Sequence, residues 1–170
     1  METVVLSMGT NLGDRALNMR LMTGEIRGIL REPLTFSSLM ETEPVGVTGQ
    51  QWFFNRLCRG SYDGSPESLL EECRRAESRL GRTREEHWGA RTADIDILLF
   101  GDRLIERPEL RIPHAYMRSR RFCLMALDEL APGLVFPGTA MTMHDIYISM
   151  DSGAASQAIR VLEPPVTETV

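Results

Sequence analysis

The sequence has 170 residues, of which 42% are hydrophobic and 25% charged, and its formal net charge is −5. This length predicts a single domain with a sizeable core, and the composition is typical of a soluble globular protein. There is no run of 18 apolar residues and no basic-then-apolar leader, so we expect no membrane association and a cytoplasmic location. The acidic balance argues against a broad nucleic-acid-binding surface.

The first predicted elements are a strand over residues 3–8 and a helix over about residues 14–31, joined by a turn that contains Gly9 and Gly13. Backbone N–H groups in such a turn can bind a phosphate, but the turn lacks the lysine and hydroxyl residue of a Walker loop. We therefore prefer tight-turn geometry as the reason for these glycines.

A second strand is predicted near residues 35–42, and a Pro- and Gly-containing loop leads from it to a third strand over residues 52–59. Phe53 and Asn55 share one face of the third strand, because strand side chains alternate. One interpretation is that Phe53 stacks on a flat heterocycle whose edge Asn55 hydrogen-bonds. A core phenylalanine with a turn-capping asparagine is the alternative, and the residues alone favour it.

A second helix is predicted to begin at Ser65, an N-cap serine followed by proline at the first helical position, and to end at Gly81. Its expected buried stripe consists of Leu69, Cys73, Ala76 and Leu80. Glu77 lies at the edge of this stripe and is predicted to be solvated. The three cysteines of the chain, Cys58, Cys73 and Cys123, are too few and too widely spaced for a disulfide framework, so we expect reduced core residues.

The most informative pattern is the pair Asp94 and Asp96 at the start of an apolar strand, where both side chains point to one face about 7 Å apart. Two carboxylates ~6 Å apart repel each other by roughly 3 kcal/mol at an effective dielectric constant of about 20, so a folded protein that keeps them requires cations nearby. The preceding loop offers Arg82, Arg84 and Arg91. Acids for a hard cation beside arginines for anionic oxygens suggest a site for Mg-bound polyphosphate. A salt-bridged strand end is the alternative.

The remaining elements are a loop with His114, an arginine-rich stretch at residues 118–121 and an apolar helix that ends near Ala131. An isolated histidine in a loop is more often idle than functional. We take residues 1–150 as one domain and residues 151–170, rich in Ser, Ala, Gly, Pro and Thr, as a poorly ordered tail. The order β-α-β-β-α-β predicts an α+β, ferredoxin-like sandwich with two helices over one face of a mostly antiparallel sheet.

Five stretches of this sequence occur together in one known family: residues 7–14, residues 41–46 with Phe53 and Asn55, residues 88–101, residues 112–114 and residues 120–132. The longest stretch reads Trp-Gly-Ala-Arg-Thr-Ala-Asp-Ile-Asp-Ile-Leu-Leu-Phe-Gly and is highly specific. On these motifs the chain resembles the 6-hydroxymethyl-7,8-dihydropterin pyrophosphokinases (HPPK) of folate biosynthesis.

The resemblance implies transfer of pyrophosphate from ATP to the hydroxymethyl group of the pterin, which leaves AMP. It implies two Mg²⁺ ions held by Asp94 and Asp96, and catalytic roles for these two residues, Arg82 and Arg91. The implied pterin-binding residues are Thr42, Val45, Phe53, Asn55, Trp88 and Phe122. The implied ATP-binding residues are Glu77, Arg84, Arg91, Ile97, His114 and Arg120. We expect a monomer that binds these two small molecules and neither nucleic acid nor membranes.

Two alternatives differ in class. A Mg-dependent nucleotidyltransferase also uses paired acids on a strand, but attack at the α-phosphorus releases pyrophosphate and leaves a nucleotide on the acceptor. A non-catalytic ferredoxin-like module can present Phe53 to RNA bases, although the acidic balance disfavours it.

Overall fold

The structure, a computed structural model, describes residues 1–44, 49–82, 90–150 and 156–168. The strands are β1 (Glu2–Thr10), β2 (Arg31–Phe36), β3 (Leu39–Thr42), β4 (Phe53–Tyr62), β5 (Asp94–Phe100), β6 (Ile105–Arg107), β7 (Leu110–Ile112), β8 (Ile159–Glu163) and β9 (Val166–Glu168). The α-helices are α1 (Arg15–Ile29), α2 (Pro66–Arg79), α3 (Arg121–Leu130) and α4 (Met143–Ile148), and Met117–Ser119 form a 3₁₀-helix. None of the described helices is long and apolar enough to span a membrane.

Within the described residues, seven strands form one antiparallel sheet with the order β5-β1-β4-β2-β9, while β3 pairs with β4 and β8, and β6 and β7 form a separate hairpin. The predicted ferredoxin-like α+β fold is confirmed. Its second strand, expected over residues 35–42, is divided into β2 and β3 at Ser37 and Ser38. The division has a local cause, because the Ser37 hydroxyl accepts a hydrogen bond from the N–H of Leu57 in place of a backbone carbonyl.

Helices cover both faces of the sheet. Val4, Leu6 and Met8 of β1 pack with α1 and α2, while Val5, between them, packs with α3 and α4 on the opposite face. Because strand side chains alternate, β1 contributes residues to the hydrophobic cores on both faces of the sheet. The prediction of two helices over one face is correct for α1 and α2, and α3 and α4 add a second helical layer on what we call the cleft face.

The predicted poorly ordered tail over residues 151–170 is wrong for residues 156–168. These residues form β8, which pairs with β3, and β9, which pairs with β2. Arg27 of α1 also binds Glu168 through two hydrogen bonds of 2.8 and 2.6 Å. The Ser-, Gly- and Pro-rich composition of this segment gave no signal for the two short strands that flank Pro164 and Pro165. Each strand pairs with a strand edge that would otherwise be open. Residues 151–155 and 169–170 lie outside the described residues.

Candidate active site

A cleft of about 470 Å³ opens at one end of the sheet on the cleft face. Strand register builds its floor: Asp94 of β5 lies opposite Gly9 of β1, and Gly9 lies opposite Asn55 of β4. Residues from three strands therefore stand in one row. The lining residues are Ser7, Gly9, Thr42, Glu43, Pro44, Gln50, Phe53, Asn55, Arg91, Asp94, Asp96, Tyr116, Ser119, Arg120, Phe122 and Gln157. This volume suits a small organic ligand.

One half of the cleft combines aromatic rings with a fixed amide. Phe53 and Phe122 both line it, from β4 and from the first turn of α3. Nδ2 of Asn55 donates a 2.7 Å hydrogen bond to Oγ1 of Thr42, and both side chains are buried. Rings for stacking and an oriented amide for edge recognition suit a flat heterocycle.

Position 9 requires a glycine, because the Asn55 side chain lies too close to leave space for a Cβ atom there. A Cβ atom on Gly9 would lie 2.9 Å from Oδ1 of Asn55, which is shorter than normal van der Waals contact. Gly9 lies in strand β1 and not in the predicted turn, and its lack of a side chain leaves room for the Asn55 amide. Tight-turn geometry, the preferred explanation from the sequence, fits Gly13, whose φ is +67°.

The other half of the cleft carries the acidic pair and its arginines. Oδ1 of Asp94 pairs with Nη1 of Arg82 at 2.7 Å, and Oδ2 of Asp94 pairs with Nη1 of Arg91 at 2.7 Å. Arg82 also forms an ion pair with Glu77. Two of the three arginines expected from the sequence therefore contact Asp94, and Arg91 also lines the cleft, where its guanidinium group can bind anionic oxygens.

Glu77 is buried, with 4% of its surface exposed, so the prediction of a solvated side chain is wrong. Its Oε1 accepts a 2.8 Å hydrogen bond from the N–H of Ile95. Strand β5 is an edge strand of the sheet, and this N–H points outward from the ladder. Glu77 satisfies it, while Arg82 balances its charge; neither contact can be deduced from helix periodicity.

Asp96 has a raised pKa. Burial and the neighbouring Asp94 raise the pKa of Asp96 to about 7. Nε2 of His114 lies 3.8 Å from Oδ2 of Asp96. Burial, and then the charge of Arg120, lower the pKa of His114 below its ordinary value. Burial makes the ionised form of the Asp96 carboxylate unfavourable. A bound cation would stabilise that ionised form through its opposite charge.

The donor set fits magnesium. Among the described residues, no cluster of three or more His, Cys, Asp or Glu is placed to hold a metal ion. Mg²⁺ commonly uses one or two carboxylates and completes its shell with water and substrate phosphates. Asp94 and Asp96 provide hard oxygen donors of this kind on one face of β5, within the cleft.

Only some of the predicted ATP-binding residues have side chains at or near the cleft. Arg120 lines the cleft, and His114 contacts Asp96. The Ile97 side chain is 3% exposed and packs in the α1–α2 core, so only its backbone can contact a ligand. That backbone faces the same outer edge of β5 as Ile95, two residues earlier. Val45, Arg84 and Trp88, which were also predicted site residues, lie outside the described residues.

Sequence reasoning missed two buried polar residues, one beside the site and one in it. Asn11 is 1% exposed and accepts a 2.9 Å hydrogen bond from the N–H of Arg91 through Oδ1, while its Nδ2 donates to Oε1 of Gln50 at 3.2 Å. Gln157 lines the cleft from the C-terminal segment. Asn11 gave no distinct signal within a glycine-bearing turn, and Gln157 lay in the expected tail.

A ferredoxin-like domain with an aromatic pocket beside an acidic pair and paired arginines defines a class: phosphoryl-group transfer to a flat heterocyclic acceptor. The family model for 7,8-dihydro-6-hydroxymethylpterin-pyrophosphokinase (HPPK) matches residues 5–132. The chain belongs to this family, as its motifs predicted.

Relatives of the chain carry the same enzyme name. The chain is 35% identical over 142 residues to 2-amino-4-hydroxy-6-hydroxymethyldihydropteridine pyrophosphokinase of Methylorubrum extorquens, over 81% of this chain and 88% of the relative. It is 40% identical over 126 residues to the enzyme of that name from Bacillus subtilis, over 74% and 75% of the two chains.

Solved structures show the same fold at lower identity. Wild-type HPPK-DHPS of Plasmodium falciparum with pteroate matches with a TM-score of 0.69 and 17% identity, over 87% of this chain and 42% of that chain. The present chain thus spans less than half of that longer protein. At this identity the match concerns the fold alone.

Proposed function

We propose that the chain transfers pyrophosphate from ATP to 6-hydroxymethyl-7,8-dihydropterin, which yields AMP and the pterin pyrophosphate in folate biosynthesis. The main support for this proposal is that Asp94, Gly9 and Asn55 lie side by side on three neighbouring strands. They place an acid pair next to an aromatic pocket in one cleft of a chain of the HPPK family. The chain is accordingly a transferase with ATP as co-substrate.

The pterin is assigned to the aromatic half of the cleft. Phe53 and Phe122 would stack on its two faces, and Asn55 and Thr42 would hydrogen-bond its edge. Their position in the cleft and the Asn55–Thr42 hydrogen bond support this assignment, because a pre-oriented amide selects one orientation of a flat ligand. Val45 and Trp88 remain predicted contacts from the family resemblance.

The triphosphate is assigned to the acidic half. Asp94 and Asp96 would hold two Mg²⁺ ions, which would neutralise the phosphates and favour ionisation of the attacking hydroxyl. Arg82 and Arg91 would bind phosphate oxygens and stabilise charge as it develops on the transferred group and on the leaving AMP. Their present ion pairs support this role, since they hold both guanidinium groups against Asp94, which lines the cleft.

ATP would extend from the phosphates towards the outer edge of β5. Arg120, His114 and the Ile97 backbone are the proposed contacts there, with Arg84 from the family resemblance. Glu77 would contribute indirectly, because it orients Arg82 and accepts a hydrogen bond from Ile95.

Neither alternative gains support from the structure. A nucleotidyltransferase is not favoured by any observed contact, and the curated relatives carry the pyrophosphokinase name. An RNA-binding module needs an extended open sheet surface, whereas α3 and α4 pack on part of the cleft face and Phe53 lines a confined cleft beside them. We further propose a monomer that binds no nucleic acid and acts in the cytoplasm.

The test is product analysis. Purified protein incubated with ATP, Mg²⁺ and 6-hydroxymethyl-7,8-dihydropterin should form AMP in proportion to added pterin, with an equal amount of pterin pyrophosphate. A no-pterin control sets the background. Well-folded protein that forms no pterin-dependent AMP would contradict the proposal.

A further inference from the structure

Gln157 belongs to the cleft although it lies beyond the residues matched by the family model. It is 8% exposed and lies within residues 151–170, the segment that the sequence predicted to be a poorly ordered tail. We propose that Gln157 is a positioning residue for the pterin, whose side-chain amide ties together the two walls between which the pterin binds. This inference rests on the proposed pyrophosphokinase activity.

The side-chain amide of Gln157 contacts both walls. Its Nε2 donates a 3.0 Å hydrogen bond to the carbonyl oxygen of Glu43, in the loop after β3. Its Oε1 accepts a 3.4 Å hydrogen bond from the N–H of Phe122, in the first turn of α3. Two further hydrogen bonds add to these: Glu43 N donates to the Ala158 carbonyl at 3.0 Å, and the side-chain Nη1 of Arg121 donates to the Gln157 carbonyl at 3.3 Å.

The contact with Phe122 satisfies a need of helix α3. The first N–H groups of an α-helix have no acceptor within the helix, and an N-cap side chain normally supplies one. Arg120 occupies the N-cap position of α3, and an arginine side chain has no acceptor atom. Gln157 supplies the missing acceptor from another element. It thereby fixes the turn that carries the Phe122 ring.

The contact with Glu43 fixes the opposite wall. Glu43 and Pro44 line the cleft directly after Thr42, and strand β8 begins opposite Thr42 at Ile159. Only a side chain with both a donor and an acceptor can serve a carbonyl and an N–H at once, and an amide does so without charge. Glutamate at this position keeps the acceptor and loses the donor, whereas methionine loses both.

The experiment compares Gln157→Met and Gln157→Glu with the wild-type chain, and uses Leu162→Ala as the matched control. Leu162 lies on β8, is exposed and does not line the cleft. We expect the KM for the pterin to rise about tenfold in Gln157→Met and about threefold in Gln157→Glu, from the loss of two hydrogen bonds and of one. The KM for ATP, and the parameters of Leu162→Ala, should stay near wild-type values.

Thermal unfolding of each variant separates positioning from general destabilisation. A higher pterin KM with an unchanged ATP KM and a similar Tm supports the proposal. A wild-type pterin KM in Gln157→Met, or equal rises in both KM values, overturns it. If Gln157→Met does not fold, the same comparison is made with Gln157→Glu. Wild-type protein without pterin-dependent AMP formation would instead refute the proposed activity itself, so the two failures are distinguishable.

Discussion

For Asp96, folding stability favours the protonated form, whereas the proposed function requires the ionised form. Burial and Asp94 raise its pKa to about 7, so its ionised form is costly in the metal-free protein at neutral pH. The proposed function requires this ionised form, because a carboxylate oxygen must face Mg²⁺. The residue therefore holds a charge that the fold alone disfavours and that the bound cation and substrate would stabilise.

Replacement of Asp96 by Asn should abolish turnover and retain the fold. The amide keeps the shape of the side chain but removes the negative charge that holds the cation. We expect kcat to fall by about three orders of magnitude, as for loss of a principal electrostatic group. Steady-state AMP formation measures this, with circular dichroism as the folding control. Substantial activity in Asp96→Asn would refute the metal assignment.

The same variant should change how stability depends on pH. The pKa of Asp96 is raised from about 3.8 in the unfolded chain to about 7 in the folded protein. The stability that this group contributes is therefore fully present below about pH 4 and is lost as the pH rises to about 7. Metal-free Asp96→Asn should match wild type near pH 4 and exceed it at pH 8, by about 1–2 kcal/mol, since solvent reaches part of the side chain.

Denaturant unfolding at pH 4, 6 and 8 without Mg²⁺ measures this difference. The gap between Asp96→Asn and wild type should widen with pH. A gap that stays constant, or that narrows as the pH rises, would show that Asp96 does not ionise at a cost in the folded state.

Gly9→Ala tests the floor of the cleft. The new methyl group must displace the Asn55 amide, whose Oδ1 lies within 2.9 Å of the added atom. We expect the KM for the pterin to rise about tenfold and stability to fall by about 1–3 kcal/mol. Gly24→Ala in α1 is the matched control, because its Cβ meets nothing within 4 Å; it should stabilise by up to about 1 kcal/mol. Equal pterin KM values in both variants would contradict the role of Gly9.

At the level of elements, the β1–α1 turn joins the loops beside the cleft. Asn11 holds Arg91 on one side and Gln50 on the other, through both ends of its side-chain amide. The N–H of Asn11 also donates to the Arg91 carbonyl at 3.1 Å. The turn thus positions residue 91, whose guanidinium group pairs with Asp94.

Asn11→Ala should loosen these loops. Loss of the buried amide leaves the Arg91 N–H without its side-chain acceptor, which costs about 1–3 kcal/mol. Hydrogen exchange at the Arg91 amide should become faster, and kcat/KM should fall about tenfold. Asn18→Ala is the control, because Asn18 bonds Thr10 and Leu12 in the same turn but neither loop. A similar loss in both variants would indicate a general effect of the turn.

The alternation of strand side chains and the helix-cap residues predicted the faces of the strands and the start of helix α2. Alternation placed Asp94 with Asp96, and Phe53 with Asn55, on the cleft face, and Ser65 marked the start of α2. Contacts between distant segments were not predictable. The burial of Glu77 depends on an edge N–H of β5, and the position of Gln157 depends on how a C-terminal strand pairs with β3. Such pairings have no local signature in one sequence.

The whole molecule encloses all three cysteines. Burial raises the pKa values of Cys58, Cys73 and Cys123 to about 12, so each remains a thiol at neutral pH. The prediction of reduced core residues is confirmed. They lie in both cores: Cys58 and Cys73 on the α1–α2 side and Cys123 on the cleft face.

Reaction with a thiol reagent should therefore report global unfolding. At pH 8 the native protein should react far more slowly than a free thiol, because only the thiolate attacks. In concentrated guanidinium chloride, three equivalents should react at once. Rapid reaction of one equivalent in the native protein would mean that part of a core opens without global unfolding.

The central claim concerns the whole chain: one cleft directs the pterin hydroxyl to the β-phosphorus of ATP. The measurement that tests it most directly is ³¹P NMR of a complete reaction with ATP, Mg²⁺ and 6-hydroxymethyl-7,8-dihydropterin. We predict a diphosphate attached to the pterin, with AMP as the sole nucleotide product. Free pyrophosphate with a nucleotide joined to the pterin would place the attack at the α-phosphorus and contradict the account, as would ADP with a pterin monophosphate.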